Sequence, residues 1–102
     1  MTQQNLPLAE AARDTALARV QLANEDWVDH AVETVRWLAK QGQPFTTDDV
    51  WAHVTYRPAE PRAMGAAMRV ASSIGIARAT GRYVKSKRVA CHARPVMVWE
   101  RA

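Results

Sequence analysis

The hydrophobic period of this chain changes once, at Gly75, and that change constrains the fold more than any other feature. Upstream, apolar residues recur at the three- and four-residue spacing of helices. Downstream of Ile76 they alternate with the period of two that belongs to strands. Helical segments followed by a short strand pair predict an α+β fold, mainly helical, with a single small sheet. At 102 residues the chain is long enough for one domain with one modest core.

Within the helical part, stop and start signals divide the segments. Pro7 suits a first helical turn, and LAEAARDTALARVQLA is rich in strong helix formers, so residues 1–23 are expected to form a helical extension. Its stripe is poor, because Arg19 interrupts Leu8, Ala12, Thr15 and Leu22. That helix needs a neighbour, either its own domain or a second subunit. Asn24 can cap the next helix, with Glu25 and Asp26 in its first turn. Val28, Ala31, Val32, Val35, Leu38 and Ala39 give it a core face, bordered by Trp27, while Trp37 and His30 point nearly opposite. Gly42 and Pro44 stop it. Thr46 and Asp49 then form a capping box, and Phe45 can staple against Val50. Val50, Trp51 and Val54 supply the buried side of a short helix.

After the turn Thr55–Glu60, Pro61 opens a helix over 61–74. Met64, Ala67, Met68, Ala71 and Ile74 are expected to face the core. Arg62, Ala66, Arg69 and Ser73 form the outward row, with Gly65 and Ser72 beside it. Gly75 ends the helix, and Ile76 can pack back on Ala71 as in a Schellman cap. Residues 76–80 and 95–99 are expected to pair antiparallel, joined by a long basic loop, with Pro44–Thr46 a candidate short third strand. Residues 24–102 thus make one core unit with no internal boundary.

The formal net charge of +4 conceals a strong polarity. Residues 1–60 hold five basic side chains against nine acidic ones, a balance of −4, whereas 61–102 hold nine against Glu100 alone, a balance of +8. Such a division suits a polyanionic partner. Helix, turn, helix and basic two-stranded wing is the plan of a winged helix-turn-helix, a DNA-binding module. On that plan the candidate DNA-binding residues of the third core helix are Arg62, Gly65, Ala66, Arg69, Ser72 and Ser73. Arginine can fork onto guanine, and small neighbours let a helix sink into the major groove. In the segment 78–94 the candidates are Arg78, Arg82, Lys85, Lys87, Arg88 and Arg94 for phosphates, with Tyr83 along a sugar or base. Double-stranded DNA is therefore the expected partner, and capture of an acidic protein by the same basic surface is the alternative. Palindromic DNA sites favour dimers, and the N-terminal helix with the Trp37 face is the expected surface for a homodimer.

Other classes find little support. Apolar runs are too short for a membrane span, and the opening MTQQNLPLAEAARD lacks the basic start and apolar core of a signal peptide. One cysteine fits a reducing cytoplasm. Cys91–His92 would need His30 or His53, both far off in sequence, to complete a zinc site, so no metal or other cofactor is expected. No P-loop, nucleophile elbow or metalloprotease motif is present, and an enzyme is not expected.

The segments PFTTDDVW, EPRAMGAAMR and TGRYVKSKRVACHARPVMVW resemble small winged helix-turn-helix proteins of tailed bacteriophages and prophages. The likeness covers roughly residues 25–100. It implies a phage-encoded DNA-binding protein of the host cytoplasm, with Arg62 to Ser73 matching the recognition helix and Arg82 to Arg94 the wing.

Overall fold

A computed structural model of the protein describes residues 24–88 and 93–102. The expected N-terminal helix and the Cys91–His92 pair lie outside the described residues. The described part is a small α+β domain of three helices and a two-stranded antiparallel sheet: α1 (Glu25–Lys40), α2 (Thr47–His53), α3 (Ala63–Ser73), β1 (Ala77–Lys85) and β2 (Pro95–Arg101). The order is compatible with a winged-helix layout.

The periodic face of α1 is buried as its spacing predicts, and Trp27 joins it at full burial rather than bordering it. Asn24 stands at the N-cap, but its side chain does not cap the helix. Its Oδ1 instead accepts from the Glu60 amide at 3.3 Å. Two further side chains from the start of α1 hold the same connection. Trp27 Nε1 donates to the Tyr56 carbonyl at 2.8 Å, and His30 Nε2 accepts from the Thr55 amide at 2.9 Å. The long passage from α2 to α3 is therefore fastened along its length to α1.

α2 opens on the expected capping box. The Thr46 amide donates to Asp49 Oδ2 at 2.9 Å, and Thr46 Oγ1 accepts from the Asp48 amide at 3.1 Å. Phe45, just ahead, is buried and bridges Trp99 through two backbone hydrogen bonds of 2.9 and 2.7 Å. The anticipated third strand is thus a single bridge. Burying a phenylalanine of this kind contributes about 1.5–3 kcal/mol.

α3 begins at Ala63, with Pro61 and Arg62 in the turn before it. It ends in a full Schellman motif: Ile76 N–H donates to Ala71 O at 2.9 Å and Gly75 N–H to Ser72 O at 3.2 Å, with Gly75 at φ +79°. Two expectations for this helix are corrected. Ala66 is not outward but wholly buried, and Ile74 is not in the core but 56% exposed. Ala63, Ala66, Ala67 and Ala71 are all fully buried, and α3 packs chiefly on α1. Alanines on so broad an arc let two helices approach closely, which turns a larger part of α3 inward than a single stripe would. Ile74 falls after the last helical residue, where the chain reverses, and Ile76 and Ala77 take the core positions instead.

The sheet is longer than the spacing predicts. Gly81–Lys85, read as loop, extend β1, and the pairs Tyr83↔Met97, Val84↔Val96 and Lys85↔Pro95 continue the ladder. Between Ala79 and Tyr83 three residues oppose Val98 alone, a bulge in which Gly81 takes φ +82°. Thr80 Oγ1 donates to Val98 O at 2.8 Å and accepts from Arg82 N–H at 3.1 Å, restoring hydrogen bonds that the bulge breaks. Trp99 packs half-buried on the helical core.

Candidate nucleic-acid interface

On the solvent side of α3 the exposed residues are Arg62, Gly65, Arg69, Ser72 and Ser73. Their spacings of three, four and three or four keep them on one face. Ala66 is removed from that face, and Gly65 takes its place as the small residue between the two arginines. Arg62 Nε lies 3.5 Å from Glu60 Oε1, an exposed pair that is readily opened. Arg69 has no ion pair among the described residues.

The wing cations fall into four groups. Arg78 is the first: its guanidinium meets the Glu100 carboxylate at 2.7 Å, directly across the ladder. The only acid of the C-terminal part therefore offsets one of the proposed phosphate contacts. Arg82, Lys85 and Lys87 are the second group. They line one cleft of about 360 Å³ with Pro44, Phe45, Thr46, Asp48, Asp49, Val84 and Val98. Both carboxylates of this cleft are engaged with protein donors, whereas the three cations have no ion pair among the described residues. Arg88 is the third case. Its guanidinium lies 4.8 Å from the centroid of the Trp51 ring, and Arg57 approaches the same ring at 5.6 Å. Trp51 in turn packs on Trp27, with centroids 5.4 Å apart. Arg88 is thus committed to α2 rather than extended toward solvent. Arg94 is exposed, and its carbonyl accepts from the Ser86 amide at 2.8 Å as the hairpin returns. Tyr83 projects from β1 with 61% of its surface exposed, open to stack on a sugar or base.

Two residues without positive charge hold this surface together, Ser86 of the basic segment and Asp48, which the sequence offers only as part of a helix start. Asp48 is buried; its Oδ1 accepts from the Ser86 hydroxyl at 2.8 Å and its Oδ2 from the Lys87 amide at 2.7 Å. Ser86 is also buried, and its hydroxyl oxygen accepts from the Arg88 amide at 3.2 Å. A signal existed in the sequence. The capping box needs only Thr46 and Asp49, which leaves Asp48 a surplus acid facing a segment rich in donors.

A separate hollow between α1 and the end of α2 is lined by His30, Glu33, Thr34, Trp37 and His53. Trp37 is half exposed there, its ring 5.1 Å from that of His53. Among the described residues no cluster of three or more His, Cys, Asp or Glu side chains is grouped to hold a metal ion, and no helix is long and apolar enough to cross a membrane. Compared with models of known protein families, with curated proteins and with solved structures, the chain matches none.

Proposed function

We propose that this chain is a winged helix-turn-helix protein that binds double-stranded DNA. α2, the connection 54–62 and α3 form the helix-turn-helix, and β1 with β2 forms the wing. α3 enters the major groove with Arg62, Gly65, Arg69, Ser72 and Ser73, while Arg82, Lys85, Lys87 and Arg94 grip backbone phosphates. The role is regulation of transcription or replication, within the phage life cycle that the resemblance of its motifs implies.

One observation carries this reading: Arg82, Lys85 and Lys87 converge on one cleft, and its carboxylates, Asp48 and Asp49, are held by amide and hydroxyl donors and pair with none of the three. Cations left without acidic partners in a shared cleft are what a phosphate backbone requires. The test is duplex retardation as a function of salt. The chain retards duplex at low salt, and log affinity falls linearly with log salt, by about 0.9 for each phosphate neutralised. No retardation at low salt overturns the reading.

The floor of the same cleft favours a second reading. Phe45, Val84 and Val98 are apolar, which suits side chains of an acidic segment from a host or phage protein. A defined protein partner recovered by a chain that does not retard DNA would establish that alternative.

A further inference from the structure

Asp48 is an acid inside a basic surface, and a carboxylate so placed ordinarily weakens polyanion binding. We infer that Asp48 is a positioning residue for DNA binding: it fastens the segment after β1 to the start of α2 and so presents the cleft cations. This inference rests on the DNA-binding reading above.

The geometry supports it at each bond. Neither carboxylate oxygen faces the cleft unpartnered, because one accepts the Ser86 hydroxyl at 2.8 Å and the other the Lys87 amide at 2.7 Å. These partners lie 38 and 39 residues away in the chain, so the bonds join distant segments. Ser86 passes the constraint on by accepting from the Arg88 amide. Arg88 then closes a second contact on Trp51, one helical turn beyond Asp48 on α2. Lys85, Ser86, Lys87 and Arg88 are thereby held along α2 through two contacts of different chemistry, charge-assisted hydrogen bonds to Asp48 and a cation–π contact on Trp51. Charge-assisted hydrogen bonds are about twice as strong as neutral ones, so the anion is suited to this task. Holding the segment in advance removes its ordering from the cost of binding.

The experiment separates this role from plain electrostatics, because the two predict opposite signs. Asp48→Asn removes a negative charge, so charge alone predicts tighter binding to duplex. As a positioning residue, Asp48 predicts the reverse. An amide keeps an acceptor for Ser86 but turns a donor toward the Lys87 N–H. Affinity should fall about tenfold, with a salt slope within about 0.9 of the parent, since no phosphate-binding cation is deleted. Hydrogen exchange at the Lys87 and Arg88 amides should quicken in the variant without DNA present. Ser86→Ala, which leaves the start of α2 intact, should weaken binding in the same direction, and Ser86→Thr should restore it. It also carries the test if Asp48→Asn does not fold.

A parent that fails to retard duplex overturns the DNA reading and this role with it. A parent that binds, while folded Asp48→Asn or Ser86→Ala binds equally or more tightly, overturns the positioning role alone.

Discussion

Arg69 is the side chain on which base reading turns in the proposed complex. It is exposed in the middle of α3, with the exposed Gly65 one turn before it and Ser72 and Ser73 one turn after, and no acid among the described residues pairs with it. Arg69→Ala should cost about 1–3 kcal/mol on a preferred site and little on unrelated duplex. Equal losses on both would reassign Arg69 to phosphate. Arg62 stays within reach of Glu60 and can serve either task. Ala66 gives the complementary prediction. Because it is fully buried, Ala66→Leu overpacks the inner side of α3 and should lower stability by about 1–3 kcal/mol in urea denaturation. An exposed change such as Ser73→Leu should stay within about 0.5 kcal/mol. Equal stability of the two variants would contradict the buried position of Ala66.

At the scale of elements, the hairpin is a structure with an inner and an outer set of cations. Arg82, Lys85 and Lys87 face a shared cleft, whereas Arg78 is tied to Glu100 and Arg88 to Trp51. Replacing Arg82, Lys85 and Lys87 together by alanine should weaken binding to all duplexes alike. The salt dependence should flatten by about 0.9 for each phosphate that is no longer neutralised. Parent-like affinity and slope in that triple variant would remove the wing as a phosphate clamp. The end of α3 is held by equally local means. Gly75 adopts φ +79°, a conformation costly for any residue with a Cβ. Gly75→Ala should therefore lower stability by about 1 kcal/mol, read from the urea midpoint at constant slope.

Across the whole molecule, the sheet joins the helical core through Ala77 in the core, the Phe45 bridge to Trp99, Trp99 on the core, and the Asp48 and Trp51 contacts to the wing. Positive charge is concentrated on the hairpin and on the solvent side of α3, while α1 carries Glu25, Asp26, Asp29 and Glu33 against Arg36 and Lys40. The Trp37 hollow lies between α1 and His53 of α2, and we propose it, with residues 1–23, as the surface for a second copy. Sedimentation of the full chain and of Trp37→Ser checks this. The parent should sediment as a dimer and the variant as a monomer, and identical behaviour would take Trp37 out of any self-association. A chain beginning at Asn24 tests the contribution of residues 1–23 in the same way.

Much of this fold was legible in residues a few positions apart. The face of α1, the Thr46–Asp49 capping box and the Gly75 terminus all follow from local rules. Each depends on backbone geometry and on neighbours within about one turn or one pleat. The candidate site was legible as a composition: basic residues after Pro61 with Glu100 the lone acid. Which cations face the cleft was not, because that depends on partners far away in the chain. Arg78 meets Glu100 across the ladder, Arg88 meets Trp51 on another element, and Asp48 finds Ser86. Ala66 is buried on a helix that packs chiefly on α1, and periodicity within one helix does not encode how its neighbour covers it. The extension of β1 through Gly81 is of the same kind. A glycine among basic residues reads as loop until Met97 and Val96 supply the partners that make it strand.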